Sequence, residues 1–243
     1  MRTFSVYSNI TKGVFISRPN RFVAVVLIDG KKEIVHVKNT GRCKELLVEG
    51  CPVFLEKIND RKRKTSFDLV CVEKAVGDGI KILINMDSQA PNKVVGEWIM
   101  DQRRMFHKIL MVKPEWTFKD SRFDFYVEYE DENHSLCKMV IEVKGVTLEQ
   151  DGIVRFPDAP TLRGLKHVNE LSLMALGGEY ECAVIFVVQM KNAFYFEPNW
   201  QTQKEFGNAL LKAKKSGVRI MALTCHVAPD SLCIDSEIPV KLE

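Results

Sequence analysis

Hydrophobic residues in the first third of the chain recur in short, strand-length runs. Arg21 to Asp29 and Lys32 to Lys38 are rich in Val and Ile, and the Asp29-Gly30 pair between them predicts a tight antiparallel hairpin. After Asn39-Thr40-Gly41, the stretch Cys43 to Val48 predicts one helical turn. Cys51 to Ile58, Ser66 to Lys74 and Lys81 to Ile84 read as further strands between charged or Gly-containing loops. Some five short strands in residues 1–84 predict a small closed β-barrel of the OB or SH3 sort.

The pattern changes at Asn85-Met-Asp-Ser-Gln-Ala-Pro91, a polar stretch with a proline that cannot continue a strand ladder, so residues 85–243 are expected to form a second domain. Val94, Val95, Trp98 and Ile99 have helical spacing and predict a helix from Asn92 to about Arg104. Strands follow at Phe123 to Tyr129 and Leu136 to Thr147, joined by an acidic loop. A helix from Thr161 to Leu176 is stopped by Gly177-Gly178, and after it come a strand (Cys182 to Met190), a helix (Gln203 to Lys215) and a strand (Val218 to His226). Strand and helix alternating in this way predict an α/β domain with a mixed central sheet and parallel crossings.

Composition narrows the class. In 243 residues, 35 Lys and Arg face 32 Asp and Glu, a formal charge of +3, and 46% of residues are hydrophobic, which excludes disorder and collagen. No apolar run reaches the length of a membrane span and no export signal is visible at the start, so no membrane is expected and the location is read as cytoplasmic. The seven cysteines are odd in number and scattered without CxxC spacing, which fits free thiols. Charge is concentrated at Lys57 to Lys64, with five cations in eight positions. Both a phosphate partner and a solvated hairpin tip fit that cluster.

Candidate chemistry lies in the second domain. Strand periodicity puts Asp124 on the face opposite Phe123 and Phe125, and puts Glu142 and Lys144 together opposite Ile141 and Val143. Charges in strands this apolar are costly to bury without a role or a partner. Converging on one spot, two carboxylates would hold Mg²⁺ or Mn²⁺, and the lysine would orient water or steady charge on a scissile phosphate. An exposed edge carrying a surface ion pair gives the same pattern.

Further blocks narrow that choice. They are Pro19-Asn-Arg-Phe22, Asn39-Thr-Gly-Arg42, Ser121-Arg-Phe-Asp124, Glu142-Val-Lys144, and above all Phe156-Pro-Asp-Ala-Pro-Thr161 followed by Arg163-Gly164, Lys166-His167 and Glu170-Leu171. From about residue 13 onward the chain resembles the sugar fermentation stimulation protein A (SfsA) family. That resemblance implies an N-terminal OB-like nucleic-acid-binding domain and a C-terminal domain similar to PD-(D/E)XK nucleases. Asp124, Glu142 and Lys144 take the catalytic places, and Asp124 and Glu142 also serve as metal ligands. The literal Pro157-Asp158 pair follows the ExK element and is expected to cap the next helix instead.

Glu97, on the helix before these strands, is a further candidate carboxylate, although it is also spaced for an ion pair with Lys93. Arg163, Lys166, His167 and Glu170 form one polar helical stripe, and Lys166 or His167 is expected to reach the substrate phosphate; a solvated face has the same spacing. Gln189 is a weaker candidate for the same cleft. On the barrel, Arg18, Arg21, Arg42, Lys44, Arg61, Lys62, Arg63, Lys64 and, from the second domain, Arg163 are candidate nucleic-acid contacts, with Phe22 expected in the core.

The expected function is nucleic-acid binding with metal-dependent hydrolysis of DNA or RNA. The alternative is a non-catalytic DNA-binding regulator of sugar (maltose-type) metabolism genes. No helix-turn-helix and no Gly-rich phosphate loop is visible, and a homodimer is left open.

Overall fold

The computed structural model describes residues 7–39, 41–60, 62–77, 79–101 and 105–243. The first domain is built from β1 (Ile10–Asn20), β2 (Val23–Ile28), β3 (Lys31–Val37), β4 (Pro52–Lys57), β5 (Phe67–Ala75) and β6 (Lys81–Asn85), in the order β3-β2-β1-β4-β5-β6. A parallel pairing of β3 with β5, His36 beside Asp68 and Val37 beside Leu69, closes the first five strands into a barrel. The β2–β3 hairpin forms as predicted, with Asp29 at φ 48° and Gly30 at φ 78°, positive values that a tight hairpin turn demands. Val26, Val35, Val53, Leu55 and Leu69 are buried in the barrel core together with Cys43, Leu46 and Leu47. The residues after Cys43 form the single helical turn expected, with Leu46 and Leu47 both donating to the Cys43 carbonyl, and it does not extend into a helix.

The predicted basic cluster is anchored at one point. Arg63 binds Asp68 through both terminal nitrogens, with Nη1 at 3.1 Å from Oδ2, and His36 Nδ1 lies 3.1 Å from Asp68 Oδ1. Burial alone would raise the Asp68 pKa, but the Arg63 fork and then His36 outweigh it and hold the carboxyl below its usual value.

The second domain contains α1 (Ala90–Asp101), β7 (Lys108–Phe118), β8 (Ser121–Glu130), β9 (Leu136–Val146), β10 (Leu148–Gln150), β11 (Ile153–Phe156), α2 (Leu162–Gly177), β12 (Glu181–Val188), β13 (Tyr195–Pro198), α3 (Lys204–Lys215), β14 (Arg219–Ala228) and β15 (Ser231–Ile238). Its main sheet runs β15-β14-β12-β9-β8-β7, parallel from β9 through β12 to β14 and antiparallel at both flanks. A small sheet, β10-β11-β13, stands beside it. Alternation along the strands gives the main sheet two apolar faces. Ile141, Ile185 and Phe125 pack under Val94, Val95 and Ile99 of α1, whereas Val140, Val184 and Phe186 pack under α2 and α3.

The first barrel strand β1, the flanking strands β7 and β15 and the three short strands were not legible as strands in the pattern. Thr161 caps α2, its Oγ1 accepting from Gly164 N at 3.0 Å, and Gly178 ends it at φ 73°. Asp158 therefore does not cap this helix, contrary to expectation: its Oδ2 accepts the Arg42 backbone N–H at 2.9 Å and so ties the barrel to the second domain.

A buried polar network makes the second tie. Lys38 pairs with Asp87 at 2.5 Å, Tyr7 OH reaches Asp87 Oδ2 at 3.2 Å, and Asn85 donates to Tyr7 OH at 2.9 Å. Gln189 Nε2 donates to Asn85 Oδ1 and to the Asp87 carbonyl, both at 2.9 Å. Among the described residues no helix is long and apolar enough to cross a membrane.

Two outcomes are expected of this packing. Phe186, fully buried and stacked on Phe196 at 4.0 Å between ring centroids, should cost about 3 to 5 kcal/mol when replaced by Ala, read from urea melts. Because the folded Asp68 pKa is depressed, the carboxyl's contribution is present above its unfolded value of about 4 and lost as pH falls through the folded one. Asp68→Asn should therefore melt earlier than the unaltered chain at pH 7, and the gap should narrow as both are acidified.

Candidate active site and nucleic-acid surface

The antiparallel ladder between β8 and β9 ends at Phe125 opposite Ile141, and there the strands splay. Asp124 fills the gap. Its Oδ2 accepts from the Val143 backbone N–H at 2.7 Å, in place of a ladder bond, and its Oδ1 accepts from Asn92 Nδ2 at 2.6 Å. Asn92 sits in the first turn of α1, so two elements far apart in sequence fix one carboxylate.

Glu142 is 3% exposed, on the β9 face that α2 covers. His167, one residue of the α2 stripe, is also buried, and its Nδ1 lies 2.6 Å from Glu142 Oε1. The same oxygen accepts from Lys144 Nζ. Glu142 Oε2 is buried and has no hydrogen-bond partner.

The two carboxyls titrate in opposite directions. Burial and then the neighbouring Glu142 charge raise Asp124, with the Val143 N–H and Asn92 only partly opposing. Burial would raise Glu142 as well, but His167 and Lys144 together bring it below its usual range. The Glu142 charge thus raises the Asp124 pKa, a repulsion that a nearby cation would relieve.

The donor set fits a small hard cation in one specific way. Among the described residues no three His, Cys, Asp or Glu side chains converge into a cage. Asp124 and Glu142 alone remain, and one Glu142 oxygen is buried without a partner. Magnesium is commonly held by just one or two carboxylates, its other positions going to water and substrate phosphate.

Other expected residues lie elsewhere. Glu97 is on α1, across the sheet from α2; its Oε2 is buried without a partner, burial raises its pKa, and its charge is felt at Cys233 on β15, three strands from β9. Among the described residues no hydrogen bond or ion pair joins it to Asp124 or Glu142, although Asn92 of the same helix bonds Asp124. Lys166 is exposed at the rim, its Nζ 3.4 Å from the Asp120 carbonyl and 3.7 Å from Glu170, and Arg163 is exposed one turn earlier. Gln189 is 1% exposed and committed to the interdomain network.

On the barrel, Arg18 is a clamp. Its four terminal N–H groups donate to the carbonyls of Arg21, Asn39, Gly41 and Arg42 at 2.6 to 2.9 Å, leaving none of them for phosphate. What the clamp holds in place are Arg21 and Arg42, both exposed, with Lys44 exposed beside them. Phe22, expected in the core, is 47% exposed, and the Arg21 guanidinium stands 4.8 Å above its ring. Lys62 and Lys64 are exposed on either side of the anchored Arg63, and Arg61 lies outside the described residues.

Sequence reasoning missed Asn92 as a site residue and Asp158 as an interdomain tie. The only signal for either was a polar side chain at a helix start, which capping explains equally well.

Two family models match consecutive parts of the chain: the SfsA N-terminal OB domain over residues 16–84, and the sugar fermentation stimulation protein RE domain over residues 89–231. A sugar fermentation stimulation protein homolog of Clostridium beijerinckii is 52% identical over 236 residues, covering 97% of this chain and 99% of that protein. Its counterpart in Desulfitobacterium hafniense (strain DSM 10664 / DCB-2) is 50% identical, covering 97% and 98%. Among solved structures, the calcium complex of Pyrococcus furiosus SfsA shares the fold, with a TM-score of 0.82 over 99% of each chain at 23% identity. With an OB barrel followed by an α/β domain in the matched order, the chain belongs to the sugar fermentation stimulation protein family.

Proposed function

We propose that this chain binds DNA or RNA through the barrel and hydrolyses its phosphodiester bonds with a divalent ion at Asp124 and Glu142. The observation that carries this reading is Glu142 Oε2, a carboxylate oxygen buried without a partner while the Asp124 carboxyl lies beside it on the next strand. A buried charge left half-satisfied is costly to folding, and a bound cation offsets that cost. Magnesium or manganese suits these hard oxygens, and the Pyrococcus furiosus relative holds Ca²⁺, an ion of the same oxygen-seeking class.

When bound, such an ion polarises a phosphate oxygen and supplies hydroxide near neutral pH. The chain's own groups do the rest. Lys144 brings an ammonium next to Glu142, where it stabilises charge developing on the phosphate. His167 fixes the Glu142 rotamer, and Asn92 with the Val143 N–H fixes Asp124. Arg163 and Lys166, exposed on the first turns of α2, steer the strand, while Arg21, Arg42, Lys44, Lys62 and Lys64 grip its backbone, with Phe22 as a stacking platform. In this reading the protein works in the cytoplasm.

One observation favours a second reading, a non-catalytic DNA-binding regulator of sugar metabolism genes. Glu142 Oε1 is already saturated by Lys144 and His167, a network able to persist for structure alone. Binding without cutting separates the two.

Labelled DNA and RNA incubated with Mg²⁺ or Mn²⁺ should be cleaved, and EDTA should stop it. Asp124→Asn, Glu142→Gln and Lys144→Ala should each lower turnover roughly 100-fold or more while circular dichroism shows a folded chain. Wild-type cleavage by all three variants, or none by the unaltered chain, would overturn the catalytic reading. In salt titrations of binding, Arg21→Ala and Lys44→Ala should each reduce the slope by about 1. Arg18→Ala should lower the melting temperature instead, since its donors hold the chain's own loop.

A further inference from the structure

At the carboxyl ends of β9 and β12, one residue beyond Lys144, the barrel and the second domain leave a cleft of about 290 Å³. Asn39, Ser88, Thr147, Phe156, Thr161 and Gln189 are among its walls. Among the described residues its one lining cation, Arg155, is taken by Glu197 at 2.7 Å, and its one lining carboxylate, Asp158, by the Arg42 N–H. Each of these charges is thus paired with a group of the chain itself. The cleft offers amide and hydroxyl groups and the half-buried ring of Phe156.

Gln189 is the decisive wall. It is 1% exposed, and its Nε2 donates to Asn85 O, Asn85 Oδ1 and Asp87 O at 2.9 to 3.2 Å, which locks the amide. Its Oε1 accepts no hydrogen bond from any described residue. A Cβ on Gly145 would come within 2.6 Å of that oxygen and 2.9 Å of Pro91, so only glycine leaves the room it occupies. A fixed acceptor, neutral polar neighbours and a flat apolar wall match a heteroaromatic ring with a hydrogen-bonding edge.

Position ties the cleft to the reaction. Thr161 caps α2, and His167, six residues further on, touches Glu142, a rise of about 9 Å. We propose that the cleft receives one unpaired nucleobase of the substrate, adjacent to the phosphate held at Asp124 and Glu142. This rests on the nuclease reading above and adds to it the substrate class: strands with a base free to leave the stack, because a paired base must first be extruded.

Three labelled duplexes of one sequence test this by fluorescence anisotropy in EDTA: fully paired, with one bulged nucleotide, and with an abasic residue at the bulge. The bulge fixes the register, and the abasic form keeps the backbone flexibility while removing the ring. On the unaltered chain the base-bearing bulge should bind about ten-fold or more tighter than the paired duplex, and the abasic bulge should bind like the paired duplex. Ala159→Trp, which fills the cleft, should reduce the base-bearing bulge to the abasic level. Equal affinity for the base-bearing and abasic bulges, or for all three duplexes, overturns the proposal; the comparison on the unaltered chain stands whether or not the variant folds. The same duplexes with Mn²⁺ separate the two ideas. Cleavage without base preference removes the base site and keeps the nuclease, whereas base preference without cleavage keeps the cleft and removes the chemistry.

Discussion

A carboxylate buried between a sheet and a helix sets the terms for the second domain. Glu142 projects from the middle of an apolar strand into the α2 interface, where an unpaired charge would be costly. His167 and Lys144 satisfy one of its oxygens and leave the other. For His167 to arrive there, α2 must be capped at Thr161 and lie along β9, so the helix cap and its packing serve this one contact. The splay of β8 from β9 belongs to the same arrangement, because Asp124 can accept from Val143 only where the ladder has ended.

The barrel depends on a different kind of contact. Arg18 gathers four carbonyls of its own loops, and Asp158 takes the next free N–H of that loop from across the domain boundary. These contacts freeze a surface on which Arg21, Phe22, Arg42 and Lys44 stand clear of the protein. A rigid platform loses little conformational freedom when a strand docks on it, the circumstance in which a few cations and one aromatic ring are most effective. The Lys38–Asp87 pair and the Gln189 amide hold the same barrel at a set distance from Asp124 and Glu142, so the basic surface and the carboxylates share one frame.

Much of this architecture was legible in the pattern of residues, because it rests on local rules. Period-two alternation marks a strand wherever it occurs, so β2 to β6, β8, β9, β12 and β14 could be read directly, as could the α2 stop at Gly177-Gly178 and the Asp29-Gly30 turn. The same alternation put Glu142 and Lys144 together opposite Ile141 and Val143, whereas Phe123 and Phe125, expected on one face, pack on opposite faces of the sheet beside Asp124. Strands at the sheet margin were harder. β7 carries Lys113, Pro114 and Glu115 amid its apolar residues, as exposed edges do to avoid pairing with other chains, and β15 mixes Asp235, Ser236 and Glu237 into its second half. Neither shows the clean signal of a buried strand.

What the linear chain determined by itself was the set of elements, their faces and the family, since each depends on spacings of a few residues or on contiguous motifs. Only the tertiary structure decided which polar groups meet. Asn92 reaching Asp124, Arg18 turning inward and Phe22 turning outward all follow from how whole helices and strands pack against one another. Spacing says on which side a residue stands; packing says what stands opposite it, and the site is made of such oppositions.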